Sequence, residues 1–124
     1  MEKDWKIKFY KDDKGKCQVE DFLNSLSEKD KKKIEARIKL LEEQGIFLHR
    51  PHSDYLRDGI RELRVKLERG GTRILYFFCF ETYIIFTNAF YKRSDEVPEN
   101  EINKALDCKQ DILSKYNENN IKDL

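Results

Sequence analysis

Residues 60–90 read IRELRVKLERGGTRILYFFCFETYIIFTNAF, which is a succession of strand-like runs separated by turn residues. The first run alternates charged and apolar side chains, as in a strand with one buried face. Its apolar members are Leu63, Val65 and Leu67. The second run, residues 72–80, is almost continuously apolar and aromatic, and it predicts a strand buried on both faces in the middle of a sheet. A third strand is expected over residues 83–90.

A turn is predicted between the first two runs, where Gly70 and Gly71 adjoin. Both glycines can adopt the positive φ that the central positions of a tight hairpin require. Upstream of these runs, residues 46–59 contain Pro51, Asp58 and Gly59, and we expect them to form an irregular loop.

Residues 1–45 predict a strand, a turn and two helices. The strand is indicated by alternating apolar residues: Trp5, Ile7 and Phe9. A turn through residues 12–15 follows it. A first helix is expected next, because four apolar residues fall on one helical face: Val19, Phe22, Leu23 and Leu26. Ser27 followed by Asp30 predicts the N-cap of a second helix, which Gly45 is expected to end.

The C-terminal quarter predicts a third helix, because Pro98 suits a first helical turn and the apolar residues after it keep a helical spacing. The predicted order is therefore β-α-α-β-β-β-α. This is an α+β fold in which an N-terminal helical pair and a C-terminal helix cover a small, mainly antiparallel sheet. We expect a single domain over residues 1–124, with a frayed tail at residues 117–124.

The composition argues against several classes of protein. Of the 124 residues, 39% are hydrophobic, 40% are charged and 12% are aromatic, which is too many aromatics for a disordered chain. The longest apolar stretch, residues 74–80, is far shorter than the roughly 18 residues of a membrane-spanning helix. The charged start has no secretory pattern, so we expect a cytoplasmic protein without membrane association. Cys17, Cys79 and Cys108 are too widely spaced for a zinc site, and no metal or cofactor is expected.

Charge is unevenly distributed although the formal net charge is only +1. Residues 50–93 contain nine Lys or Arg against five Asp or Glu, whereas residues 94–124 contain four against eight. The basic centre is rich in arginine, whose planar guanidinium can bind a phosphate through two parallel donors. An anionic partner is expected there, unless the excess is an incidental feature of a charge-rich surface. Lys29 and residues 31–33 are mixed with acids, and we interpret them as a solvated helix face.

Basic residues lie at the ends of three adjacent predicted strands. They are Arg64 and Lys66 on the first hairpin strand, Arg73 on its partner, and Lys92 with Arg93 after the last strand. Because neighbouring strands are about 4.8 Å apart, these side chains can converge. Such a patch suits metal-free RNA cleavage, in which fixed cations neutralise the additional charge of the transition state. Tyr91, His49 and His52 are candidates for proton transfer, and only histidine has an ordinary pKa near neutrality.

Each candidate also has a purely structural interpretation. Arg73 could pair with Glu62 across the hairpin, as opposite charges on neighbouring strands commonly do. Tyr91 could serve packing alone, and His49 and His52 could be surface residues without a catalytic role. The residues alone leave these alternatives open.

Four segments follow one another at a spacing that points to a known family. They are LRDGIRELR at residues 56–64, RILYF at residues 73–77, FYKRS at residues 90–94, and Pro98 with Glu101, Ile102 and Ala105. Together they resemble the RelE-like toxins of bacterial toxin–antitoxin pairs, most closely the phage-derived Gp49-like, HigB-type branch. A weaker similarity extends to Phe22 and Leu23 and to residues 40–45.

The resemblance implies the toxin of a type II toxin–antitoxin system, with a RelE-like fold. Such a protein is a ribosome-dependent mRNA endonuclease that acts in the ribosomal A site and is held inactive by a cognate antitoxin protein. The resemblance also implies that Arg64, Arg73 and Lys92 stabilise the phosphate and the transition state. Our leading hypothesis adds that Tyr91 or His52 assists. Further RNA contacts are expected from the other basic residues of this region: Arg57, Arg61, Lys66, Arg93 and His52.

Three acidic residues depart from the family pattern. Asp54 stands about where relatives tend to have a lysine, and Asp95 and Glu96 occupy a segment that is often basic. Two other hypotheses therefore stay open. The chain could resemble the sister ParE branch and inhibit DNA gyrase by binding, without nuclease chemistry. It could also be a degenerate, non-catalytic module that binds only its antitoxin or RNA.

Overall fold

A computed structural model describes residues 5–124; the first four residues, part of the charged start, lie outside the described residues. The described part forms five strands and three α-helices. In chain order these are β1 (Lys6–Phe9), α1 (Gln18–Asn24), α2 (Glu28–Gln44), β2 (Ser53–Arg57), β3 (Ile60–Lys66), β4 (Gly71–Cys79), β5 (Tyr83–Tyr91) and α3 (Glu99–Lys115). The strands are arranged β1-β5-β4-β3-β2, with β1 parallel to β5 and the other pairs antiparallel. The predicted α+β class and mainly antiparallel sheet are confirmed.

Strand β4 lies in the middle of the sheet and is buried on both faces, as its apolar sequence predicts. On one face its side chains join a core with residues of α1 and α2, including Val19, Ile34 and Leu41. On the other face they join a core with Ala105 and Ile112 of α3. Cys79 is a buried residue of this second core. The two apolar layers fix which side of the sheet each β3 and β5 side chain occupies.

The prediction of an irregular loop over residues 46–59 is wrong in part, because β2 forms there. This strand pairs with β3 along the edge of the sheet. Arg57 is paired with Ile60, so that Asp58 and Gly59 form a two-residue turn in which both have positive φ. The Asp-Gly signal was thus present in the sequence, but the short polar strand before it lacks the apolar alternation that marks a half-buried strand.

The hairpin between β3 and β4 is present, but its turn lies earlier than predicted. Leu67 and Gly70 exchange backbone hydrogen bonds of 2.9 and 3.1 Å, so Glu68 and Arg69 occupy the central positions. Gly71 is instead the first residue of β4. This shift leaves Gly71 in the sheet, where its missing side chain opens space above the strand.

The chain end also differs from the frayed tail predicted for residues 117–124. Ile121–Asp123 form a short 3-10 helix, and the Ile121 side chain is buried in the core beneath α3. Lys8 of β1 donates a hydrogen bond to the Lys122 carbonyl at 2.8 Å. One apolar side chain therefore anchors a segment whose polar composition indicated fraying.

Helix α2 begins and ends where the sequence predicts. The Ser27 hydroxyl accepts a hydrogen bond from the Asp30 amide at 3.2 Å, and Gly45 ends the helix with a φ of +51°. A Cβ atom built on Gly45 would overlap the indole ring of Trp5. Gly45 is therefore required both by its backbone conformation and by the close approach of Trp5.

We predict that Gly45→Ala lowers the free energy of unfolding by about 2–5 kcal/mol, since the left-handed conformation and the overlap with Trp5 both oppose a methyl group. Gly15→Ala is the matched control, because Gly15 also has positive φ but has open space around it. The control is expected to cost about 1–2 kcal/mol. Urea unfolding followed by the fluorescence of the single tryptophan measures both. Equal losses would show that the contact with Trp5 adds nothing.

Candidate nucleic-acid site

The candidate site lies where β3 extends past the start of β2. Ser53, the first residue of β2, pairs with Leu63, so the later part of β3 has no strand neighbour on that side. Other groups satisfy its backbone. The His52 carbonyl accepts a hydrogen bond from the Arg64 amide at 2.8 Å, and the Arg37 guanidinium of α2 donates to the Arg64 carbonyl. A loop and a helix thus replace the missing strand and leave a cleft between them.

We call this depression, of about 440 Å³, the basic cleft. Its lining consists of Arg37, Pro51, His52, Arg64, Val65, Lys66, Gly71 and Arg73. Within the described part of the chain, every charged residue that lines it is basic. A phosphate group would find several cationic donors there, and no carboxylate is among the lining residues. Of the predicted site residues, the structure brings Arg64, Arg73, Lys66 and His52 together here.

A second depression, the mixed cleft, adjoins the first and shares Arg64 with it. It has a volume of about 540 Å³ and is lined in part by Arg50, Asp54, Arg57, Glu62, Lys92, Asp95, Glu96 and Glu99. Among the described residues, five carboxylates and four basic side chains line it. Lys92 therefore lies beside Arg64, as predicted, but in a cleft whose charge is nearly balanced.

A buried carboxylate holds the two central arginines. The Nε of Arg73 donates to Glu62 Oε1 at 2.8 Å, and the Arg64 Nε lies 3.7 Å from the same oxygen. The side chains of Arg73 and Glu62 are only 8% and 7% exposed. Burial lowers the pKa of Arg73, whereas the charge of Glu62 opposes that shift. The pairing of Arg73 with Glu62, one of the two interpretations left open by the sequence, is thus confirmed, and it coexists with the place of Arg73 in the cleft.

Tyr91 and Arg61 lie on the opposite face of the sheet from Arg64 and Arg73. The Tyr91 ring packs 5.3 Å from that of Phe22, and the Arg69 guanidinium lies 4.8 Å from the Tyr91 ring centre. Arg61 lies over the Tyr55 ring and donates to the Leu48 carbonyl at 3.4 Å. The structure therefore places neither residue in the basic cleft. Tyr91 makes the packing contacts expected if it serves packing alone.

The other predicted RNA contacts occupy less favourable positions. Arg57 donates to Asp58, Glu99 and Asn103, and the carboxylates of Glu99 and Asp58 raise its pKa. Arg93 is exposed just beyond the end of β5. The hydrogen bonds to Glu99 and Asn103 tie Arg57 to helix α3, so the charge of Arg57 is already matched within the molecule.

Asp54 is also matched within the molecule. Two nitrogens of Arg50 approach Asp54 Oδ2, at 2.8 and 2.7 Å, and this hydrogen bonding lowers the pKa of the carboxyl group. Arg50 thus neutralises the acidic departure at this position. Sequence reasoning missed Arg50, although it stands four residues before Asp54 in the same segment.

His52 is the histidine that lines the basic cleft. Its pKa lies below the ordinary value of 6.5, because of partial burial and of the positive charges of Arg37 and His49. A neutral imidazole beside several cations can accept a proton at pH 7. His49 is exposed, and its Nδ1 lies 2.8 Å from the Phe47 carbonyl. Of the two histidines, His52 lines the basic cleft and His49 does not.

Sequence reasoning also missed Arg37. A signal was present, because Arg37 lies three residues after Ile34 and four before Leu41, on the apolar side of α2. A basic residue at such a position must reach the edge of the core to remain hydrated. Arg37 does so by extending to the carbonyl of Arg64.

A family model agrees with the segments noted in the sequence. The model described as Phage derived protein Gp49-like (DUF891) matches residues 21–110, which span α1 to α3 and contain every residue of both clefts. The chain belongs to the Gp49-like family. No curated protein is significantly similar to it.

Two further features concern residues 5–124 of this Gp49-like protein. Within residues 5–124, no three His, Cys, Asp or Glu side chains are grouped as ligands for a metal ion. In the same residues, no helix combines the length and the apolar character needed to cross a lipid bilayer.

We predict that Glu62→Gln lowers the free energy of unfolding of the Gp49-like chain by about 3–5 kcal/mol, because Arg73 would keep its buried charge without a counter-ion. A double variant, Glu62→Gln with Arg73→Gln, is expected to lose less than the sum of the single changes. Chemical denaturation of the wild type, of Glu62→Gln, of Arg73→Gln and of the double variant measures this coupling. Glu28→Gln breaks an exposed ion pair with Lys31 and is the control, with a loss under about 1 kcal/mol. Strict additivity would contradict the coupling.

We also predict that Arg37→Gln raises the pKa of His52 toward 6.5, since it removes a positive charge that favours the neutral ring. Nuclear magnetic resonance titration of the imidazole protons measures this directly, because the chain has only two histidines. His49→Gln assigns the signals. Lys39→Gln, elsewhere on α2, is expected to leave the pKa of His52 unchanged. An unaltered pKa in Arg37→Gln would show that Arg37 does not act on the imidazole.

Proposed function

We propose that this Gp49-like protein is the toxin of a toxin–antitoxin pair, a RelE-type and HigB-like endoribonuclease that cleaves mRNA in the ribosomal A site. The observation that carries the proposal is the basic cleft, in which Arg64 and Arg73 are held beside one buried carboxylate and next to a neutral histidine. This combination supplies fixed positive charge and a proton acceptor without a metal ion.

The cleavage step uses the 2′-hydroxyl of the RNA as its nucleophile. In our proposal His52 takes the proton of this hydroxyl, the 2′-oxygen bonds to phosphorus, and the bond from phosphorus to the 5′-oxygen breaks. The leaving oxygen takes a proton from water, the hydroxide so formed takes back the proton that His52 accepted, and a 2′,3′-cyclic phosphate remains. Arg64 and Arg73 neutralise the additional charge of the phosphorane, a contribution of about 10²–10³ in rate for one such donor.

Positions in the two clefts suggest different roles for the remaining candidates. Lys66 is exposed at the rim of the basic cleft and is proposed to bind the reacting phosphate. Lys92 is proposed to bind an adjacent part of the substrate through the mixed cleft, next to Arg64. Tyr91 is assigned a packing role, because its ring contacts lie on the other face of the sheet.

The proposed antitoxin is a protein that contributes acidic side chains to the basic cleft. Such a segment would neutralise the charge of the cleft and block access to it through the same contact. The excess of positive charge at this cleft, in a chain of nearly zero net charge, gives the partner a defined target.

The test is induction in a bacterial host with primer-extension mapping of the 5′ ends of cellular mRNA. Arg64→Gln is the informative variant, since its side chain is less buried than that of Arg73 and its loss leaves the Arg73–Glu62 pair intact. Arg69→Gln, on the same hairpin but outside both clefts, is the matched control. We expect new mRNA ends in phase with codons for the wild type and the control. For Arg64→Gln we expect cleavage to be slower by a factor of about 10²–10³.

Other results would overturn the proposal in distinct ways. Growth arrest without new mRNA ends would favour inhibition of DNA gyrase, which supercoiling assays on the purified enzyme would detect. Absence of arrest, with the protein folded and abundant, would favour a non-catalytic binding module. Unchanged cleavage in Arg64→Gln would remove the basic cleft from the mechanism.

A further inference from the structure

Three basic residues form a row along α2 that leads away from the basic cleft. Lys29, Lys33 and Arg37 are four residues apart, so their side chains lie one above the other on one side of the helix. Lys29 and Lys33 are exposed, whereas Arg37 is half-buried and lines the cleft. At a rise of about 1.5 Å per residue, the row is about 12 Å long.

Arg37 joins this row to the candidate site. It donates a hydrogen bond to the Arg64 carbonyl, and its charge is near enough to lower the pKa of His52. A polyanion that occupies the basic cleft could therefore continue along α2 from Arg37 to Lys33 and Lys29.

The acidic residues of α2 do not compensate the row. Glu28 forms an ion pair with Lys31 at 3.5 Å, and Asp30 is only 7% exposed. Glu35, Glu42 and Glu43 do not stand three or four residues from any member of the row, so they are not its neighbours on the helix. Asp30 stands three residues before Lys33, but its side chain is buried. Like charges four residues apart destabilise a helix. The row thus has an unfavourable arrangement that an anionic ligand would relieve.

We propose that Lys29, Lys33 and Arg37 bind phosphates of single-stranded RNA where the strand leaves the basic cleft. The inference rests on the proposed function and extends it, because it assigns the flanking substrate to α2. It also replaces the interpretation of Lys29 and Lys33 as a merely solvated face. Single-stranded RNA suits the row because successive phosphates of a flexible strand can follow a line of cations.

The test measures binding of fluorescent 2′-O-methyl oligonucleotides, which lack the nucleophilic hydroxyl and cannot be cut. The variant is Lys29→Ala with Lys33→Ala, and the control, Lys14→Ala with Lys39→Ala, removes the same charge from other exposed positions. One probe has about twelve nucleotides and can span cleft and row, and the other has about three and can fill only the cleft.

We expect the Lys29/Lys33 variant to bind the long probe about tenfold more weakly than the control at about 0.1 M salt, with similar binding of the short probe. Loss of two phosphate contacts should reduce the slope of log affinity against log salt by about 1.4. Equal binding of the long probe by variant and control, or a wild-type protein that does not bind it, would overturn the inference. If the probes bind as expected but the wild type produces no codon-phased mRNA cleavage, the proposed endonuclease is contradicted. The assignment of Lys29, Lys33 and Arg37 to RNA binding is then retained.

Discussion

The candidate site depends on the contacts of the buried Glu62 carboxylate with Arg73 and Arg64. The register of the β3–β4 hairpin places Arg64 directly opposite Arg73, and two like charges at such a position repel each other. One oxygen of Glu62 lies within 2.8 Å of Arg73 and 3.7 Å of Arg64, which offsets that repulsion. The same contact fixes the Arg73 guanidinium before any ligand arrives, so little side-chain freedom is lost when an anion binds.

The cleft beside this pair results from where two strands begin. Because β2 starts opposite Leu63, the later part of β3 is completed by a carbonyl of the preceding loop and by Arg37 of α2. Because the hairpin turn is centred on Glu68 and Arg69, Gly71 falls within β4 and leaves room above the strand. A side chain at Gly71 would meet the Arg73 guanidinium at about contact distance. Local turn geometry thus determines the opening of the site.

Hydrophobic periodicity was sufficient to predict β3, β4, β5 and the three helices, because their burial follows directly from the residues that alternate or repeat. It could not reveal β2, whose five residues pair through the backbone and contribute little apolar pattern. The place of Arg61 could have been inferred, since it shares the parity of Leu63 and Val65 and not that of Arg64. The contribution of Arg37 could not, because its contact with Arg64 joins residues 27 positions apart.

Asp54, Asp95 and Glu96 all line the mixed cleft, and none of them lines the basic cleft. Arg50 neutralises Asp54, and Glu99 binds Arg57. Asp95, Glu96 and Glu99 of the acidic C-terminal quarter meet the basic centre at the mixed cleft. The basic cleft lies on the other side of Arg64, and the described charged residues that line it are all cationic. The charge around Arg64 and Lys66 is therefore more strongly positive than the charge around Lys92. The basic excess of residues 50–93 is visible in the sequence, but its division between two clefts arises only when the sheet is folded.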